Sequence, residues 1–417
     1  MDNLTHSLIG LVAGDAIARS TRATDSGLSS ETRRGFLVVI AAVGGNLPDL
    51  DLLVTSAGFT RDKLAYLLQH RGYTHTIVGC IVLALLLYGA AELWAKYRHF
   101  TLTRRDRLAF AGMALFGTLL HLGMDSLNSY GVHPFWPFNN QWFYGDAVFI
   151  VEPLYWIAAA PMFFLVRTLA ARIAVAIALC LAIAANVFLH LAQPLWCIGV
   201  VLLTAVLLIV GKRASARTAA LTSAAATVGV TAMFIFAGQA AAHRVDAIAA
   251  QDFPSDVSID HVLSPSPTNP FCWDVLLMQT GGGRYTVRHA MFANAPSVVS
   301  ADRCPGVFEG QASTAPLTAT QAPASPAVRW LGEFSMPVDR LASLVAGNCE
   351  AFELMQFARA PFATELDGQW VIGDLRFDRE RALGMAEISL AAQPANRCRY
   401  NVPWVPPRAA LLGRGQR

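Results

Sequence analysis

Apolar residues fall in long blocks separated by short charged stretches, unlike the shorter periods of a soluble domain. A helix rises about 1.5 Å per residue, so about 20 apolar residues cross a hydrocarbon core about 30 Å thick. Blocks of this kind cover roughly residues 76–93, 107–123, 147–166, 173–191, 194–211 and 219–242. A seventh, roughly 36–57, is broken by Gly44, Gly45 and the polar run Asn46, Pro48, Asp49, Asp51. Polar groups at membrane depth must face protein, water or a metal. Residues 4–18 are too short to span comfortably, and with Asp15 inside them and no basic start they do not make a convincing signal peptide.

Beyond residue 242 the pattern changes. Tyr285 to Phe292 after Gly281-Gly-Gly, and Trp370 to Phe377 after Asp367-Gly, alternate as strands with turns ahead of them. Residues 337–347 read as a helix, and 311–327, rich in Ala, Pro, Ser and Thr, as a loop. The pattern therefore predicts an all-α polytopic membrane domain over 1–242, with about seven transmembrane helices plus a short N-terminal helix. A small α+β or mainly β domain over 243–417 follows.

Composition agrees. Of 417 residues 54% are apolar and 15% charged, against about 45 to 50% and about 25% in soluble domains. The formal charge of +3 is too balanced for a chain that neutralises nucleic-acid phosphates.

Basic residues set the orientation, because short Lys- and Arg-rich loops stay cytoplasmic. Arg19, Arg22, Arg33 and Arg34 precede the broken span; Lys96, Arg98, Arg104, Arg105 and Arg107 separate the next two. Arg167 and Arg172, then Lys212, Arg213 and Arg217, mark two further basic loops, while 124–146 has neither Lys nor Arg. Only 58–75, with Arg61, Lys63 and Arg71, dissents. The alternation predicts a bacterial inner (cytoplasmic) membrane protein whose 243–417 domain is extracytoplasmic. Four of seven cysteines, Cys272, Cys304, Cys349 and Cys398, lie in that domain. They read as two disulfides with three pairings open, or as four buried thiols.

The ionisable groups inside or beside the apolar blocks carry the functional signal, because an intramembrane charge is costly unless paired, solvated or metal-bound. They are His6, Asp49, Asp51, His70, His75, His121, Asp125, Asp146 and Glu152, all on the extracytoplasmic half if the first helix dips in from that side. With His133 they supply the imidazoles and carboxylates that zinc and similar divalent ions prefer. His121 and Asp125 are spaced i, i+4 on one helix face, which by itself suits a salt bridge as well as an ion. His70 and His75 converge only through a turn at Gly72, and otherwise are water-facing loop histidines. Asn46 to Asp51 also fits a plain helix break, with Pro48 at a first helical turn. Thr5-His6-Ser7-Leu-Ile-Gly10 recurs as Thr74-His75-Thr76-Ile-Val-Gly79, either as a small repeat or by chance. Residues 133–144 hold six aromatics, as an interfacial belt or as a lid beside the metal site. His99, His190, His243, His261 and His289 are read as unrelated to this chemistry.

Asn3-Leu-Thr-His6-Ser-Leu, Leu47-Pro-Asp-Leu-Asp51, His70-Arg-Gly-Tyr-Thr-His75, His121-Leu-Gly-Met-Asp125 and Gly145-Asp146 with Glu152 resemble the YdjM/YbcI-type family of bacterial inner-membrane proteins, described as metal-dependent hydrolases. In the tail, Asn269-Pro, Trp273 and Gly373 to Phe377 resemble its longer members. More distantly, the order His, Asp, His, His-x-x-x-Asp is similar to the zinc-dependent phospholipase C and P1-type nuclease superfamily. That superfamily's later His-x-x-x-Glu is missing here, and only Asp146 and Glu152 stand near its place.

With this resemblance, His6, Asp49, Asp51, His70, His75, His121, Asp125 and Asp146 are expected to include the ligands of one or two divalent ions, Zn2+ first. Asp51 or Glu152 is the expected general base, and Arg71 the group that neutralises charge on a phosphoryl or carbonyl oxygen. Besides the lipid bilayer, the expected partner is a lipid or phosphoester substrate, and nucleic acid is excluded. The alternative is a non-catalytic metal-binding scaffold with a periplasmic interaction domain. A transporter would need polar groups through both leaflets, and a zincin protease would need His-Glu-x-x-His.

Overall fold

The computed structural model describes the chain except residues 22–24, 56–61, 189–192, 307–313, 379–381, 392–397 and 413–417. Arg22, Arg61, His190 and the start of the 311–327 loop therefore lie outside the described residues.

The N-terminal part is helical. α1 (Asn3–Ser20) is capped by Asp2, whose carboxylate accepts from the Thr5 amide. α2 (Ser30–Gly44) bends by 52° into the turn Leu47–Leu50 and the short α3 (Asp51–Thr55). α4 (Lys63–Gln69) leads to α5 (Ile77–Tyr97), capped by Thr76, and to α6 (Arg104–Asp125), capped by a reciprocal Thr103–Asp106 pair. α7 (Pro153–Ala158) and α8 (Met162–Leu165) are short. Long helices α9 (Leu169–Phe188), α10 (Pro194–Arg213) and α11 (Ala216–Asp252) follow.

Among the described residues five helices, α5, α6, α9, α10 and α11, are long and apolar enough to cross a membrane, or six if bent α2 with its continuation is one span. The expected span 147–166 is not a continuous helix. Pro153 starts α7, and Pro161, which lacks an amide proton, caps α8 instead of extending α7. The expected boundary at 242 falls inside α11, which runs on to Asp252.

α2 and α6 touch through glycine. A Cβ on Gly117 would stand 3.0 Å from the Ala41 carbonyl oxygen and 3.2 Å from the Gly44 Cα. The basic ends gather at one end of the bundle. There Arg34 reaches Asp15 and the Leu165 carbonyl, and Arg33 lies 3.6 Å from Asp106. Arg167 forks onto Glu31.

The tail is β-rich. β1 (Val257–Ser266), β2 (Asn269–Gly281), β3 (Arg284–Ala293) and β4 (Val328–Pro337) form one antiparallel sheet in chain order. α12 (Val338–Gly347) and α13 (Cys349–Met355) precede a second sheet of β5 (Pro361–Leu366), β6 (Gln369–Asp374) and β7 (Glu387–Ser389). Gly282 and Gly283 make the β2–β3 turn with positive φ. β6 stops at Asp374, three residues short of the sequence expectation, because its carboxylate accepts from the Arg376 amide and turns the chain. Cys272 with Cys304 and Cys349 with Cys398 stand at disulfide distance. Leu64, Leu67, Leu68 and Tyr130 share one buried core with the tail's Phe357, Phe362 and Ile372.

Candidate metal centre

The polar groups meet at the bundle end opposite the basic residues. His6 comes from the start of α1, Asp49 from the turn after α2, His75 from the turn before α5, and His121 and Asp125 from the end of α6. All are buried.

Asp49, His75, His121 and Asp125 could hold one metal ion, with their ligand atoms all within 4.8 Å of one another. The two Nε2 atoms of His75 and His121 lie 3.0 Å apart. Asp49 Oδ1 is 3.3 and 3.6 Å from them, and Asp125 Oδ2 is 3.2 and 3.4 Å away. A tetrahedral ion with bonds of about 2.0–2.1 Å separates its ligands by roughly 3.3 Å. Among the described residues Asp125 Oδ2 has no hydrogen-bond partner.

The tautomers follow from the surroundings. His121 Nδ1 stands 2.8 Å from the Gly45 carbonyl, which only accepts, so Nδ1 carries the proton. Thr74 Oγ1 donates to Asp51 Oδ2 and therefore accepts from His75 Nδ1 at 3.0 Å. In the neutral imidazoles both Nε2 lone pairs then face two carboxylate oxygens. Four acceptors without a proton between them repel, and a shared cation relieves that repulsion.

Asp49 also belongs to a second possible group with Asp51 and His70. Asp51 is largely engaged in holding neighbours, since it accepts from the Arg71 amide and Thr74, and its Oδ1 lies 3.0 Å from His70 Nδ1. His6 stacks on His121 with centroids 3.9 Å apart and places Nε2 3.2 Å from Asp125 Oδ1. The same oxygen takes Arg71 Nη2 at 3.0 Å and the Met1 amino group.

Two expected members stand elsewhere. Asp146 binds Arg359 of the tail at 2.8 and 2.9 Å. Arg359 also forks onto Asp260, which Arg408 contacts as well. Burial opposes charge on Asp260, but the two guanidinium groups outweigh it and hold its carboxyl below the usual range. Glu152 caps α7 and accepts from the Thr268 amide in the β1–β2 turn. Both carboxylates sit at the seam with the tail and in neither possible metal group, because the tail supplies the partners they need.

His133 is held between Trp404 and Trp142, at centroid distances of 3.8 and 3.9 Å. A cavity of about 1040 Å³ lies between the aromatic loop and residues 403–410, with Trp142 and Trp404 in its lining. Sequence reasoning gave Gly45 and Thr74 no role at the centre and passed over Asn128 and Tyr130. Of these only Thr74, beside His75, had a local signal.

A helical bundle with several membrane-length apolar helices and a buried Asp/His cluster defines a membrane protein with a possible metal site. Residues 1–197 match the family described as YdjM inner membrane protein. Comparison with curated proteins and with solved structures gives no match.

Proposed function

We propose that the chain is a multi-pass, metal-dependent hydrolase of the inner membrane, acting at the extracytoplasmic face on a phosphoester of a lipid-derived substrate. The observation that carries this reading is the set of four buried acceptors, Asp49 Oδ1, His75 Nε2, His121 Nε2 and Asp125 Oδ2. Two imidazoles and two carboxylates suit Zn2+, and the sharing of Asp49 with the second group leaves room for a second ion. The gathering of basic residues at the other end supports the orientation.

Held by Asp49, His75, His121 and Asp125, a divalent cation would supply Lewis acidity. The side chains do the rest. His70 donates a hydrogen bond from Nδ1–H to Asp51 and keeps that proton, which leaves Nε2 as the acceptor for a proton from the attacking water. Asp51 is thus a positioning residue, and Arg71 neutralises charge growing on the phosphoryl oxygens.

The test is the metal content of the detergent-purified protein, by elemental analysis, with a His121→Ala, Asp125→Ala double variant beside it. About one or more equivalents of zinc in the wild type, lost in the variant along with hydrolysis of a phosphoester, is the expected result. Absence of metal from both overturns the reading in favour of a non-catalytic scaffold.

A further inference from the structure

Beside the four acceptors lies a group of donors. Among the described residues Arg71 Nε and Asn128 Nδ2 are buried without a hydrogen-bond partner, and Tyr130 Oη has only the Tyr66 hydroxyl near it, in residues only 2, 3 and 5% exposed. A buried donor without a partner costs about 1–3 kcal/mol, so two side by side are unusual. They form one unit. Asn128 Oδ1 accepts from Arg71 Nη1 at 3.0 Å and from the Tyr130 amide at 2.9 Å. Both neighbours are donors, which fixes the amide so that its NH2 group is the unpaired end. The Arg71 guanidinium lies 4.8 Å from the centre of the Tyr130 ring, and its Nη2 reaches Asp125 of the four-acceptor group.

We propose that Arg71, Asn128 and Tyr130 form an anion pocket beside the metal centre, which takes the non-bridging oxygens of a phosphate group. This rests on the hydrolase reading and names the part of the substrate that is held. A permanent charge and two neutral donors match an oxyanion with several acceptor oxygens. The neutral donors add hydrogen bonds without further positive charge in a buried site.

The experiment titrates inorganic phosphate into the full-length protein in detergent, following binding by calorimetry, with metal content measured on each sample. Wild type is compared with Asn128→Ala and Tyr130→Phe. The expected result is saturable binding that weakens about fivefold to tenfold in each variant, since one hydrogen bond contributes about 1 kcal/mol, while the metal is retained. A second arm uses a short-chain phosphatidic acid: tighter binding than phosphate assigns a lipid phosphate, and equal binding a soluble one. Variants that bind phosphate as wild type does, or a metal-loaded wild type that binds none, overturn the pocket and leave the metal reading standing. Phosphate binding that weakens in the variants of a metal-free protein upholds the pocket and removes the hydrolase reading.

Discussion

His121 Nδ1 donates to the carbonyl oxygen of Gly45 at 2.8 Å, so the end of α2 sets the tautomer of a histidine on α6. The bond depends on how closely the two helices approach.

That approach gives the first prediction. Gly117→Val would press a side chain onto the Ala41 carbonyl and Gly44, and overpacking of this kind costs about 1–3 kcal/mol. Thermal unfolding in detergent should show the loss, and elemental analysis should show reduced metal. A variant with wild-type metal and midpoint would separate the helix contact from the centre.

Asp51→Asn removes the charge that holds His70 Nδ1 and Thr74 Oγ1, the hydroxyl that orients the ligand His75, but keeps the volume. Loss of such a partner typically weakens metal affinity by about 10–100-fold. Competition with a zinc chelator reads the change, and the variant should also fall in phosphoester hydrolysis. Unchanged affinity and rate would remove Asp51 from its positioning role.

Arg359→Met leaves Asp146 without its guanidinium partner at the seam and Asp260 with Arg408 alone. Breaking a buried pair on one side costs about 3–5 kcal/mol. Limited proteolysis should cut the tail faster in this variant, whereas its metal content should match wild type, because Asp146 lies outside both possible metal groups.

Burial, then a hydrogen bond to Asp378, pushes the Glu387 carboxyl up from its ordinary value to about 7. The folded tail therefore binds a proton that the unfolded chain releases near pH 4.5. The resulting stability is present at low pH and is lost as pH rises from about 4.5 through about 7. The unfolding midpoint should be higher at pH 5 than at pH 8, and Glu387→Gln should shrink that difference. An equal difference in both proteins would assign the pH dependence to other groups.

The sequence made some of this legible and concealed the rest for physical reasons. His121 and Asp125 announce themselves by their spacing, and Asp49 and His75 by their cost in apolar surroundings. Asn128 and Tyr130 are ordinary loop residues until the fold buries them. Asp146 and Glu152 look like further members of the same group, but their partners Arg359 and Thr268 lie 213 and 116 positions away. The 147–166 block has a span's hydropathy, yet Pro161 sets its backbone. In the tail, alternation marked two strands, but nothing in it told β6 to stop at Asp374.

Trp404 donates its indole proton to the Leu68 carbonyl, stacks on His133 and covers Gly72, 336 positions after the residue it binds. The loop carrying His70, Arg71 and His75 is thus walled by a residue made more than 300 positions later. During synthesis its early histidines wait, without this cover, for more than 300 further residues to be added. Assembly of this wall is therefore a late checkpoint: a chain interrupted before residue 404 would have the residues of the centre but not its finished enclosure.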